Sequence, residues 1–174
     1  TDRNFTLTAG TTSSIDVTSA ATNLTMSGAS TNTTGALTKT GAGTLTLSGA
    51  NLYTGLTTVS AGTLAEGVNN ALSNGGVTVS GGTFDMGTFT DAVGAVTLTS
   101  GSITGTTGVL TGTSYGVQSG SISAILAGAG SLTKTTAGTV TLSGVNTYTG
   151  VTTINGGVLS VGTIGNGGVA GNLG

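Results

Sequence analysis

The feature that most constrains this chain is a long segment that occurs twice. Residues 37–64 read LTKTGAGTLTLSGANLYTGLTTVSAGTL, and residues 132–159 read LTKTTAGTVTLSGVNTYTGVTTINGGVL. They align without a gap at an offset of 95, with 19 of 28 positions identical. The differences are mostly mild, as with Leu45 against Val140, Val59 against Ile154 and Ala50 against Val145. A unit that recurs with its apolar positions and glycines held in place is a stacking unit rather than a unique catalytic centre. Such self-similarity points to a solenoid or array.

Composition agrees. Thr, Ser and Gly exceed half of the 174 residues, and Pro, Cys, His and Trp are absent. Only Asp2, Arg3, Asp16, Lys39, Glu66, Asp85, Asp91 and Lys134 carry charged side chains. So low a charge does not fit a chain kept disordered by solvated charges. Helix formers are scarce while Thr and Val abound, which favours strands. A net charge of −2 offers no basic surface to nucleic acid or anionic lipid. No apolar run reaches the roughly 18 residues that span a bilayer, so no membrane insertion is expected. The start, TDRNFTLTAG, lacks the basic and apolar regions of a signal peptide, so either that peptide has been removed or the chain is an internal segment.

Short alternating runs recur along the chain: Phe5-Thr6-Leu7-Thr8, Ile15-Asp16-Val17-Thr18, Leu24-Thr25-Met26-Ser27, Thr44-Leu45-Thr46-Leu47, Val77-Thr78-Val79-Ser80, Val96-Thr97-Leu98-Thr99 and Val140-Thr141-Leu142-Ser143. Each places two apolar residues on one face of a strand and Thr, Ser or Asp on the other. Turn signals such as Ser48-Gly49, Asn74-Gly75-Gly76, Gly81-Gly82 and Asn166-Gly167-Gly168 separate them. Strands of about four residues are short for a sandwich or open barrel. The pattern predicts a single all-β domain over 1–174, a right-handed parallel β-helix (β-solenoid) with coils of roughly 20–25 residues and about seven to nine coils. A β-hairpin array or antiparallel sandwich is the competing fold.

The two copies carry Asn51, Tyr53 and Gly55 in one corner and Asn146, Tyr148 and Gly150 in the other. With the preceding Gly-Thr-Leu/Val-x-Leu strand and the following Thr-Thr-Val/Ile strand, these segments resemble the autotransporter passenger-associated repeat. The tail, 166–174, is similar to the continuation of such a repeat into its next coil. Residues 1–35 and 65–130 share only the style of strands and glycine corners. The resemblance implies a secreted or surface-displayed bacterial β-helix, usually one stretch of a very large protein, and so an extracellular or cell-surface location.

Chemistry is sparse. A glycoside-cleaving site requires two carboxyl groups about 5–10 Å apart. Asp85 and Asp91 are the candidates, and with no Lys, Arg or His nearby to tune them they read as solvated edge or turn carboxylates. No His is available for a metal, Ser has no base to activate it, and no cofactor is expected. Lys39 and Lys134 hold equivalent repeat positions and read as stems along the core edge with ammonium groups reaching water. Tyr53 and Tyr148 read as corner packers. Thr-x-Thr pairs, among them Thr38/Thr40 and Thr133/Thr135, are read as outer cover rather than an ice-binding grid, because they are not evenly spaced at a coil period along the sequence. The same hydroxyls are candidate carriers of O-glycans.

A solenoid exposes unpaired backbone at its ends, and neither end here shows a helical or charged cap. These observations point to an extracellular structural stalk or filament built by end-to-end self-association. The alternative is an adhesin segment that binds a glycan or host surface, followed distantly by a polysaccharide-active enzyme.

Overall fold

The structure, a computed structural model, describes residues 1–164 and 171–174. It is an all-β solenoid of about seven turns, each coil meeting the next through parallel strands. Position follows from register. On one face Ile15, Lys39, Val59, Val79, Leu98, Val117, Lys134 and Ile154 stack in a single inward file. Successive members are 24, 20, 20, 19, 19, 17 and 20 residues apart, so most coils are at or just below the short end of the 20–25 residues expected. Seven steps at about 4.8 Å make a stack about 34 Å long.

A second face carries the inward file Leu24, Leu45, Leu64, Phe84, Ile103, Ile122, Leu142 and Val161. Asp91, Leu110 and Leu126 stack on the third. Together these files form one continuous core. The alternation of aliphatic and hydroxyl residues causes this: on a strand one parity faces inward, and one-residue slips would expose the whole file.

The outward parity produces two hydroxyl ranks that run along the axis. Thr38, Thr58, Thr78 and Thr97 are in register on the first face. Thr44, Thr63, Thr83, Ser102, Ser121, Thr141 and Ser160 are in register on the second. The uneven spacing along the sequence is therefore a poor guide. Coils of unequal length absorb the differences in their corners, and the hydroxyls still align.

Corners differ between the repeats and the middle of the chain. In the repeats, strands of three to five residues are separated by irregular corners. Between them, Val77–Asp85, Thr90–Thr104 and Val109–Val117 run around corners as longer ladders, with register shifts at Val79/Ser80 and Ser80/Thr83. In most coils the corner between the first two faces uses a left-handed residue, supplied by Gly41 (φ 74°), Gly62 (φ 60°), Gly101 (φ 90°), Gly120 (φ 118°) and Gly157 (φ 68°), and once by Thr136 (φ 64°). Of the tail expected to continue the stack, 166–170 lies outside the described residues. Gly171 meets Asn146 in an antiparallel bridge at the top of the stack.

Candidate functional site

The repeat corner is a polar clamp between coils. Asn51 is buried; its Oδ1 accepts the Ser30 N–H at 2.8 Å from the coil below, and its Nδ2 donates to Ala71 O at 2.7 Å in the coil above and to Gly49 O at 3.0 Å. Asn146 repeats this, accepting from Leu126 N–H at 2.8 Å and donating to Asn172 O at 2.7 Å. A carboxamide has both a donor and an acceptor, so one residue can satisfy backbone groups of two neighbouring coils. Two residues on, Tyr53 and Tyr148 are buried, each with its hydroxyl 2.7 Å from a threonine four positions later, Thr57 or Thr152. Burial pushes both phenols above their usual range, most strongly at Tyr53. Gly55 and Gly150 complete the corner because the coil below runs against them: a Cβ at Gly55 would lie 2.3 Å from Gly35 O, and one at Gly150 2.4 Å from Gly130 O.

Lys39 and Lys134 do not send their ammonium groups to water. Both side chains are fully buried in the inward file. Lys39 Nζ donates to Thr40 O at 2.6 Å, Gly41 O at 2.9 Å and Ala61 O at 3.3 Å. Lys134 Nζ donates to Thr135 O at 2.5 Å, Thr136 O at 2.9 Å and Gly156 O at 3.2 Å. The left-handed corner turns its carbonyls inward, and the ammonium's three donors match three acceptors. The edge reading missed this because charge alone does not reveal a ring of carbonyls. Burial lowers the Lys39 pKa, and Asp16 opposes the shift.

Of the two candidate carboxylates, one is the turn carboxylate expected and the other is not. Asp85 is half-buried and holds its turn, its Oδ1 accepting from Gly87 N–H at 3.1 Å and Thr104 Oγ1 at 2.9 Å. Asp91 is not solvated; it is fully buried, and its Oδ2 accepts the Leu72 N–H at 2.8 Å. Its partner is Glu66, which is 6% exposed and stacks on Leu47 in an aliphatic position. Sequence reasoning passed over Glu66, although the repeat marks it: the second copy carries Val161 at the equivalent position.

Burial raises the Glu66 carboxyl to about 10, with the hydrogen bond to Asp91 and the charges of Asp91 and Asp85 acting in the same direction. Burial also raises Asp91, against the hydrogen bonds from Glu66 and from the backbone at Leu72 and Ala92. Burial thus favours the protonated form at both groups, and one proton shared between them relieves the repulsion of their charges. Two carboxyl groups in this protonation relation could serve acid–base chemistry only if substrate reached them, and both are enclosed in the core. No group of three or more His, Cys, Asp or Glu side chains able to hold a metal ion occurs among the described residues.

At the top of the stack the strands Thr152–Ile154 and Val158–Val161 each pair with a single neighbour among the described residues. Val151, Ile154 and Val158 are 71%, 56% and 53% exposed there.

Comparison with known proteins places the repeats. Residues 37–65 and 132–161 match the family model described as Passenger-associated-transport-repeat. The chain is also similar to the adhesin BmaC autotransporter of Brucella suis biovar 1 (strain 1330), 50% identical over 80 residues that make up 46% of this chain. That alignment covers 2% of the length of the Brucella protein. No solved structure matches the chain. The chain is thus an all-β solenoid with two stretches that match the passenger-associated-transport repeat, and each stretch holds one of the Asn–Tyr–Gly corners.

Proposed function

We propose that this chain is a stretch of a surface-displayed β-helical passenger and that its role is mechanical: a stalk that extends by end-to-end stacking of solenoid segments, without catalytic activity. The observation that supports this reading is the uninterrupted stack of parallel coils, in which two corners are clamped to the coils on either side by the same asparagine bonds. Coils built to one repeat can join another segment through the same parallel pairing that joins them to each other. A head-to-tail contact of this kind propagates without closing. The resemblance to a passenger repeat and to a protein named an adhesin autotransporter supports an extracellular or cell-surface location.

Electron microscopy of the purified chain tests the stacking. Filaments with an axial repeat of about 34 Å are expected, and the variant Ile154→Lys should abolish them. Dispersed rods that never join would sink end-to-end stacking and favour the second reading, an adhesin segment. That reading is supported by the Brucella relative's name and by a shallow uncharged groove that includes Leu52, Asn74, Ala92 and Thr111. Binding to neutral glycans would then be screened.

A further inference from the structure

The Glu66–Asp91 pair has no part in the stacking reading. It lies within one coil step, since Asp91 accepts the N–H of Leu72 in the coil that contains Glu66. Both side chains are more than nine-tenths buried. Glu66 Oε1, Glu66 Oε2 and Asp91 Oδ1 find no hydrogen-bond donor in the rest of the described protein. Buried carboxylate oxygens without donors are among the costliest groups a core can hold. The groups acting on the pair are Asp85, Tyr53 and the backbone N–H groups of Leu72 and Ala92; none is a cation. A single proton resolves the conflict: shared between Glu66 and Asp91, it removes one charge and makes one O–H···O bond.

We propose that the Glu66–Asp91 pair is a proton-dependent lock between two neighbouring coils, closed while the pair shares a proton and opened when that proton leaves. Loss of the proton sets two carboxylates against each other in the core. The corner 66–72 then separates from 86–91, and the Leu72 N–H loses its acceptor. The sign follows from linkage. The folded chain holds the proton over a range in which the unfolded chain has released it, so stability falls as pH rises through that range.

The composition makes the test unusually clean. With no His and no Cys, few other groups titrate between about pH 5 and about pH 9. Lys39 is lowered, and a lowered lysine makes stability rise with pH, opposite to the proposed effect.

The experiment is urea unfolding of the chain across this pH range, together with the double variant Glu66→Val and Asp91→Asn. These substitutions install the residues used elsewhere in the same fold, Val161 at the Glu66 position of the second repeat and the carboxamide of Asn51 and Asn146 at the corner, so the variant is expected to fold. The wild-type folding equilibrium should fall by about tenfold per pH unit, and the double variant should be flat. Hydrogen exchange corrected for intrinsic rates should localise the opening to 66–72 and 86–91. A pH-independent wild type, or a double variant that keeps the slope, overturns the lock. Millimolar Ca2+ restoring acid-level stability at alkaline pH would also overturn it, making the pair a cation site instead.

Discussion

Asn51 and Asn146 stand 95 positions apart and make the same two-way bond. Each carboxamide oxygen accepts a backbone N–H of the coil below at 2.8 Å, and each Nδ2 donates upward to a carbonyl at 2.7 Å. The duplication thus copies a method of joining three coils at one corner. Asp91 also takes an N–H from the coil below but has no N–H to pass upward, and it faces the Glu66 carboxyl instead.

Replacing the carboxamide exposes that dependence. Asn51→Ala leaves the Ser30 N–H without its acceptor, at a cost of about 1–3 kcal/mol, and leaves the Ala71 carbonyl only the longer bond from the residue 51 N–H, at 3.3 Å. Asn51→Asp keeps the acceptor, loses the donor and adds a buried charge without a second carboxyl to share a proton. Its thermal midpoint should therefore lie below wild type at neutral pH and recover in part in acid. Equal midpoints for Asn51→Ala and wild type would refute the clamp.

Lys39→Leu tests the carbonyl ring. The aliphatic side chain fits the file, which holds Ile15 below and Val59 above. Hydrophobicity alone therefore predicts stabilisation. The structure predicts the opposite, because Thr40, Gly41 and Ala61 lose the donor they share. Net destabilisation by about 1–3 kcal/mol is expected, read as a lower urea midpoint with an unchanged slope. The parallel variant Lys134→Leu should behave in the same way.

Gly55 and Gly116 form a matched pair for packing between coils. A Cβ at Gly55 meets the Gly35 carbonyl at 2.3 Å, whereas one at Gly116 meets nothing closer than 4.0 Å. Gly55→Ala should separate the coils locally and lower the melting temperature sharply, while Gly116→Ala, in a strand with no positive φ, should be neutral or mildly stabilising. Similar melting temperatures for the two variants would contradict the stacking distance at the corner.

Much of this architecture is legible in the sequence because parity and repetition act locally. Leu45 and Leu47 declare an inward face by themselves, and the second copy repeats the pattern. What the sequence hides is long-range. The carbonyls that receive Lys39 come from its own corner and from Ala61 one coil away. Asp91 is separated from Glu66 by 25 positions and meets it only because a coil is about 20 residues long. A carboxylate on an alternating strand reads as exposed unless the register of the neighbouring coil is known. Aligning Glu66 with Leu47 and Val161 supplies that register, and would have marked it as an interior residue.

Thr136 supplies the last test, because it departs from its own repeat. Its counterpart is Gly41, and both occupy the left-handed corner, at φ 64° and 74°. A β-branched residue is strained there, by roughly 1–2 kcal/mol. Thr136→Gly removes the strain and keeps the carbonyl that accepts from Lys134 at 2.9 Å. Against this stand the lost Thr136 Oγ1 bond to Gln118 O, at 3.3 Å, and the greater backbone entropy of an unfolded glycine. The bond is long and lies at the surface, so relief of strain dominates. A rise in stability of about 0.5–1 kcal/mol is expected, measured by urea unfolding. The reverse exchange, Gly41→Thr, should be strongly destabilising, since a Cβ there would lie 2.1 Å from Asp16 Oδ1 and 2.4 Å from Val17 O. The two corners share a backbone conformation, and the coil beneath each decides whether a side chain is tolerated.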